Sequence, residues 1–298
     1  MQNLAFCPPN RNPGKSLPVW RLALPRLNSD AEQLSTNGHV CPLADNGSER
    51  HTDARMREPR SSIRRRCGLD LPCGRPCNTL GRMPMELDHL FVCTVEGAPE
   101  AEELVRFGLR EGTSNQHPGQ GTANRRFDFA NAMIELFWVS DSQEAQSEGT
   151  RRTLLWDRWS GREDQASPFG ICLRPVDSSQ TEPPFPAWEY RPVYLPDPQV
   201  VHIGEAPVEE PMWVYLSFMR RADRERRFLG HPIGIREITG LTLTSPVPLL
   251  SAASRRVVEE GILSAQKGAK PLLEIEFDGN QRKETVDFRP RLPLVFRL

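Results

Sequence analysis

An order of elements that recurs along one chain restricts the fold more than composition does, and here one order is legible twice. In the first copy, "ELDHLFVCTV" (86–95) alternates. It puts Leu87, His89, Phe91 and Cys93 on one face of a strand and Asp88, Leu90 and Val92 on the other. "APEAEELVRFGLREG" (98–112) predicts a helix. Pro99 suits its first turn, Glu100, Glu102 and Glu103 complement the dipole, and Gly112 can end it. One short strand is expected around 110–120, and "RRFDFANAMIELFWV" supplies two more with a turn near Ala130-Asn131.

The second copy runs over 231–298. "REITGLTLTSP" is a strand and "LLSAASRRVVEEG" an amphipathic helix with Leu250, Ala253, Val257 and Val258 on one stripe. "LLEIEFDG", "ETVDFRP" and "LPLVFRL" are closing strands, with "DGNQRK" as a turn. Two β-α-β-β-β units sharing a cleft are therefore expected, a first module over 86–140 and a second over 231–298. A strand-rich middle over 165–220 holds "PFGICLRP", "AWEYRPVYLP", "QVVHIG" and "PMWVYLSF". The connector 140–164 is expected to be helical, with Leu155, Trp156 and Trp159 inward, and the charge run "RRADRERRF" (220–228) to be a solvated face.

Residues 1–82 differ in kind. They hold 13 Lys+Arg against 7 Asp+Glu, a net of +6, leaving -7 for the rest of a chain whose total is -1. Rich in Pro, Asn, Ser, Gly and Arg, this stretch lacks sustained periodicity and is expected to be a disordered extension, or an over-long reading frame with Met83 and Met85 near the true start. A nucleic-acid partner is not expected, because the arm has no aromatic interleaving and the remainder is acidic. The spacing Cys67-x5-Cys73-x3-Cys77 matches no standard zinc arrangement. No apolar run reaches membrane-spanning length and no export signal is visible, so the expected compartment is cytoplasmic with free thiols.

The chemistry-bearing candidates gather in "HPGQGTANRRFDFANAMIELFWV". Glu135 is a lone carboxylate on an apolar strand, where it costs several kcal/mol unless used or paired. The loop Gly119-Gln120-Gly121-Thr122-Ala123-Asn124 can offer backbone N–H groups to an anion, with Arg125 or Arg126 adding charge, although alternation sends one of these arginines away from any cleft. His117-Pro118 and His231-Pro232 mark turns. A His89–Glu135 ion pair would satisfy both residues without any ligand.

With "LDHLFVC" opening the first unit and "GQGTANRRFDFANAMIELFWV" closing it, the chain resembles the vicinal oxygen chelate superfamily, and within it the glyoxalase-like domain proteins. The resemblance covers roughly 86–298. It implies an α+β fold of paired modules around a cleft, acting as a monomer or homodimer. It further implies His89 and Glu135 as ligands of a divalent metal (Mn, Fe, Ni or Zn), with Glu135 as an alternative catalytic base. A small oxyanion-bearing substrate would meet His117, Gly121, Asn124, Arg125 and Arg126. Lyase, isomerase or dioxygenase-type chemistry is one expectation, and metal-free binding or sequestration is the other. The sequence departs from the pattern in the second module: Gly240 stands opposite His89 and "LPLVFRL" has no acidic residue opposite Glu135, or, with the module starting at "PFGICLR", Gly170 and Tyr215 stand at those places.

Overall fold

The computed structural model describes residues 85–298, so the extension expected over 1–82 lies outside the described residues. The chain enters on β1 (Met85–Cys93), whose alternation is broken by one irregularity: Leu87 pairs with Leu173 and His89 with Cys172, leaving Asp88 as an extra residue. Such a bulge inserts one residue into one strand of an antiparallel pair and re-aims its neighbours. Leu87 accordingly packs into the core with Leu90, instead of sharing the face of His89 and Phe91 as strict alternation predicts.

Helix α1 (Ala101–Phe107) is shorter than expected because Gly108, not Gly112, ends it. Gly108 adopts φ 108° and donates its N–H to the Leu104 and Val105 carbonyls, a left-handed cap that glycine takes without strain. The strands β2 (Asn115–His117), β3 (Thr122–Asp128) and β4 (Met133–Val139) follow, with the expected tight turn closed by Phe129 N–H to the Ala132 carbonyl at 2.8 Å. The connector contains only short helices, among them α2 (Ser142–Ala145) and α3 (Leu155–Ser160). The middle of the chain then supplies β5 (Phe169–Pro175), β6 (Ala187–Tyr190), β7 (Val201–Gly204) and β8 (Met212–Tyr215).

These eight strands form one sheet in the order β2-β3-β4-β1-β5-β8-β7-β6. β1 runs parallel to β4, β5 runs parallel to β8, and the two halves join where β1 and β5 pair antiparallel. The partner of the first module is therefore 169–215, the strand-rich middle, and it repeats the strand pairing with no helix between β5 and β6.

The segment 231–298 builds a second sheet instead of the expected partner module. After α4 (Arg221–Glu225) come β9 (Ile238–Ser245), α5 (Ala252–Glu259), β10 (Ser264–Lys267), β11 (Leu272–Phe277), β12 (Thr285–Asp287) and β13 (Leu294–Arg297). They pair in the order β10-β9-β11-β13-β12. The inward residues of this sheet, Leu241, Leu243, Leu273, Ile275 and Phe277, pack on Leu90, Val92, Ile134, Leu136, Ile171 and Trp213 of the large sheet. Each such side chain contributes about 1.5–3 kcal/mol on full burial. One face of the large sheet is thus consumed by the core. The other carries Phe91, Cys93, Phe137, Cys172, Met212 and Val214 beneath Leu155 and Trp159, and its polar side chains form the candidate site.

Candidate active site

The β1 bulge sets Asp88 and His89 side by side. The His89 Nδ1–H donates to Asp88 Oδ1 at 2.6 Å, which directs Nε2 away from Asp88. Asp88 is fully buried and needs compensation. Arg174 of β5 donates from Nη1 to Oδ2 at 2.9 Å, and Arg224 of α4 binds both carboxylate oxygens. Burial alone would raise the Asp88 carboxyl, but the Arg224 charge and the His89 hydrogen bond outweigh it and hold the group well below the usual carboxylate range. Burial also opposes a charge on His89. Cys172 across the strand pair, Glu135 and the Asp88 hydrogen bond overcome it and raise the imidazole to about 10.

Arg224 corrects the expectation for the charge run 220–228. It is buried with Asp88, and only neighbours such as Arg226 remain exposed. Run length alone does not reveal which member of a charged segment turns inward.

Glu135 stands on β4 directly beside Phe91 of β1 and Arg126 of β3, on the face shared with His89. It is 8% exposed, and no described residue gives it a hydrogen bond or an ion pair. Its charge is nonetheless felt by His89, His117, Cys172, Tyr194 and Arg224. The His89–Glu135 ion pair considered from the sequence is not formed, because His89 hydrogen-bonds Asp88 instead. Burial pushes the Cys172 thiol up, while the neighbouring His89 pulls it down.

The arginines of β3 divide by alternation. Arg125 faces away, bound through Nε and Nη2 to Glu111 at 2.7 and 2.6 Å and to Glu102 at 2.9 Å; it does not join His89 and Glu135. Arg126 stands on the site face, its Nε buried without a hydrogen-bond partner. Two residues back on the same face, Asn124 accepts the Asn115 N–H on Oδ1 while its buried Nδ2 has no partner.

The glycine-rich loop is not the anion cradle its composition suggests. Gly119 N–H is taken by Glu144 at 2.7 Å, and Gly121 N–H turns back to the His117 carbonyl. Gly121 adopts φ 70° with the Asp141 carbonyl where a Cβ would stand, at 2.2 Å, so its role is a close chain approach. His117 is kept neutral by burial, with His89 and Arg126 acting in the same direction against Glu135. Its Nδ1 meets Thr122 Oγ1 at 3.0 Å, and Tyr194 stacks on the ring at 4.9 Å while donating to Gln120 Oε1 at 3.2 Å. Tyr194 comes from the β6–β7 connection, so this loop of the second half straps over the first.

The donor set is poorly matched to a divalent ion. His89 spends its Nδ1–H on Asp88, with the Arg224 guanidinium 3.5 Å from that same nitrogen. In the second half, Cys172 stands opposite His89 and Gly170 opposite Phe91, while the neighbouring β8 positions on that face are Val214 and Met212. Tyr215 points into the opposite core and cannot replace a ligand. Among the described residues no group of three or more His, Cys, Asp and Glu side chains is arranged to hold a metal.

Two halves with matched pairing, joined at their first strands and bearing His89 and Glu135 on one face, agree with the family comparison. Residues 87–259 match the family model of the glyoxalase-like domain. The chain belongs to this glyoxalase-like family, within the vicinal oxygen chelate superfamily. The matched span includes both halves of the large sheet and reaches β9 and α5. Among solved structures, a hypothetical protein from Staphylococcus aureus is similar, with 13% identity and a TM-score of 0.40 over 72% of this chain and 99% of that chain. No curated protein matches. Within this glyoxalase-like site, the sequence reading missed Asp88, Arg174, Arg224 and Cys172. The bulge that brings Asp88 beside His89 has no residue signature, and the other three come from segments distant in sequence.

Proposed function

We propose that the site face of the first half is a proton-transfer centre acting on a small oxyanion-bearing molecule. Glu135 is the base that takes a proton from carbon, and His89, oriented by Asp88, faces the oxygen on which negative charge develops. This is isomerase- or lyase-type chemistry, a use of general acid–base catalysis that supplies about 10²–10⁴-fold. The observation that carries the proposal is Glu135: a buried carboxylate with no hydrogen bond from any described residue, flanked by an imidazolium. Its oxygens are not among the fully buried unpartnered atoms, so they stay accessible to a small molecule entering the site. Unlike a metal ligand, a base requires no third donor, which suits this set.

The test is solvent deuterium uptake at carbon, followed by proton NMR, for a panel of small carbonyl compounds. Protein treated with chelator should accelerate exchange for at least one of them, and Glu135→Gln should abolish the effect with an unchanged melting temperature. Saturable binding without exchange would replace the enzyme with a sequestering protein. Exchange appearing only after Mn²⁺, Fe²⁺, Ni²⁺ or Zn²⁺ is added would move the role to a metal held by His89 and Glu135.

A further inference from the structure

Strands β3, β4 and β1 are neighbours, and Arg126, Glu135 and Phe91 lie in one register row across them, with His89 one pleat along β1. Neighbouring strands are about 4.8 Å apart, so this row spans roughly 10 Å, the reach of a molecule of a few heavy atoms and the side chains that hold it. At the β3 end two buried donors are unspent, Arg126 Nε and Asn124 Nδ2. A buried donor without an acceptor costs about 1–3 kcal/mol, and two on one face, beside an unpaired carboxylate, are an unusual concentration. Arg125, one residue away on the opposite face, is fully engaged by carboxylates, so acidic partners are available to this strand and Arg126 still lacks one.

Resting on the proton-transfer reading above, we propose that Arg126 and Asn124 hold a substrate carboxylate. The order of the row then fixes the substrate class as a 3-oxo acid or an analogue of one. The carboxylate lies over β3, the reacting C2–H over Glu135, and the C3 carbonyl oxygen toward His89. Glu135 takes the C2 proton, the C–H electron pair forms the C2–C3 double bond, and the carbonyl π pair moves onto oxygen, which accepts a hydrogen bond from His89. Return of the proton to C2 completes an isomerisation or exchange with no oxidant or reductant. The Arg126 charge offsets the repulsion between Glu135 and the substrate carboxylate.

Acetoacetate and its neutral ethyl ester separate the two proposals. With spontaneous exchange subtracted, the protein should accelerate C2 exchange of acetoacetate at least tenfold more than that of the ester. Arg126→Gln should bring this preference close to one, and Asn124→Ser serves as the second variant should Arg126→Gln lower the melting temperature. Equal acceleration of acid and ester by the wild-type protein would overturn the carboxylate assignment and leave the proton-transfer reading standing. No acceleration of either, with exchange of another carbonyl compound in the panel, would overturn the 3-oxo acid assignment, and no exchange of any compound would overturn the proton-transfer reading. Calorimetric titration with malonate then decides the anion site alone: binding weakened tenfold or more in Arg126→Gln supports it, and no binding by the wild-type protein overturns it.

Discussion

The two halves of the large sheet share one pairing scheme and put opposite chemistry on the same face. In the first half that face carries His89, Glu135, Asn124 and Arg126. In the second it carries Cys172, Met212, Val214 and Ile203, and its groove of ≈ 180 Å³ is lined by Trp188, Ile203 and Met212, with Arg152 stacked 4.3 Å over Trp188. Duplicated architecture therefore does not require duplicated function. One half holds the polar groups, while the other contributes a wall, a thiol and the Tyr194 strap.

The largest expected effect comes from breaking the support of the first half. Asp88→Asn leaves Arg174 and Arg224 without their shared carboxylate, and denaturant unfolding should show a loss of about 3–5 kcal/mol. A substitution of similar size in the second half's wall, Cys172→Ser, should cost far less, and equal losses would erase the contrast.

A pH dependence sharpens the comparison from behind the first half, where His231 packs on Phe129 and accepts the Arg110 N–H at 2.9 Å. Burial, with Arg110 assisting, lowers this imidazole from 6.5 to about 4. The unfolded chain then binds the proton more readily, so the contribution is fully present above pH 6.5 and is lost as pH falls toward 4. At about 1.4 kcal/mol per pKa unit it amounts to about 3 kcal/mol. His231→Asn should flatten the stability profile in that window.

At the seam, Gly170→Ala would place a Cβ 1.9 Å from the Phe91 ring, and repacking should cost about 1–3 kcal/mol in unfolding experiments. The smallest effect belongs to the strap: Tyr194→Phe removes one hydrogen bond to Gln120, worth about 1 kcal/mol in a thermal melt. A larger loss there would mean that the second half supports the first more than the geometry indicates.

Much of the first module was legible because its signals are local. Alternation from His89 to Cys93, the helical stretch that follows Pro99 and the Ala130-Asn131 turn each act within a few residues, and they place His89 and Glu135 on adjacent strands. The second module was misplaced because 231–298 also contains a strand–helix–strand order, and periodicity does not state which strand pairs with which. The β1–β5 seam decides it, through hydrogen bonds between positions some 80 residues apart. Asp88 illustrates the same limit at a single position. Its sequence neighbours assign it by alternation, whereas Arg174 and Arg224 determine its surroundings.

The single extra residue at Asp88 acts as a phase shift in a two-state code. Because Asp88 is the surplus residue, Leu87 keeps its place in the core while His89, Phe91 and Cys93 face the site, and removing it would join the Leu87–Leu173 and His89–Cys172 pairs into a regular ladder with the same faces. A deletion at 88 is thus predicted to keep the faces of β1 and to cost the carboxylate that Arg174 and Arg224 share, as Asp88→Asn does. The surplus residue is a way of adding a charged side chain to a strand without spending one of its paired positions.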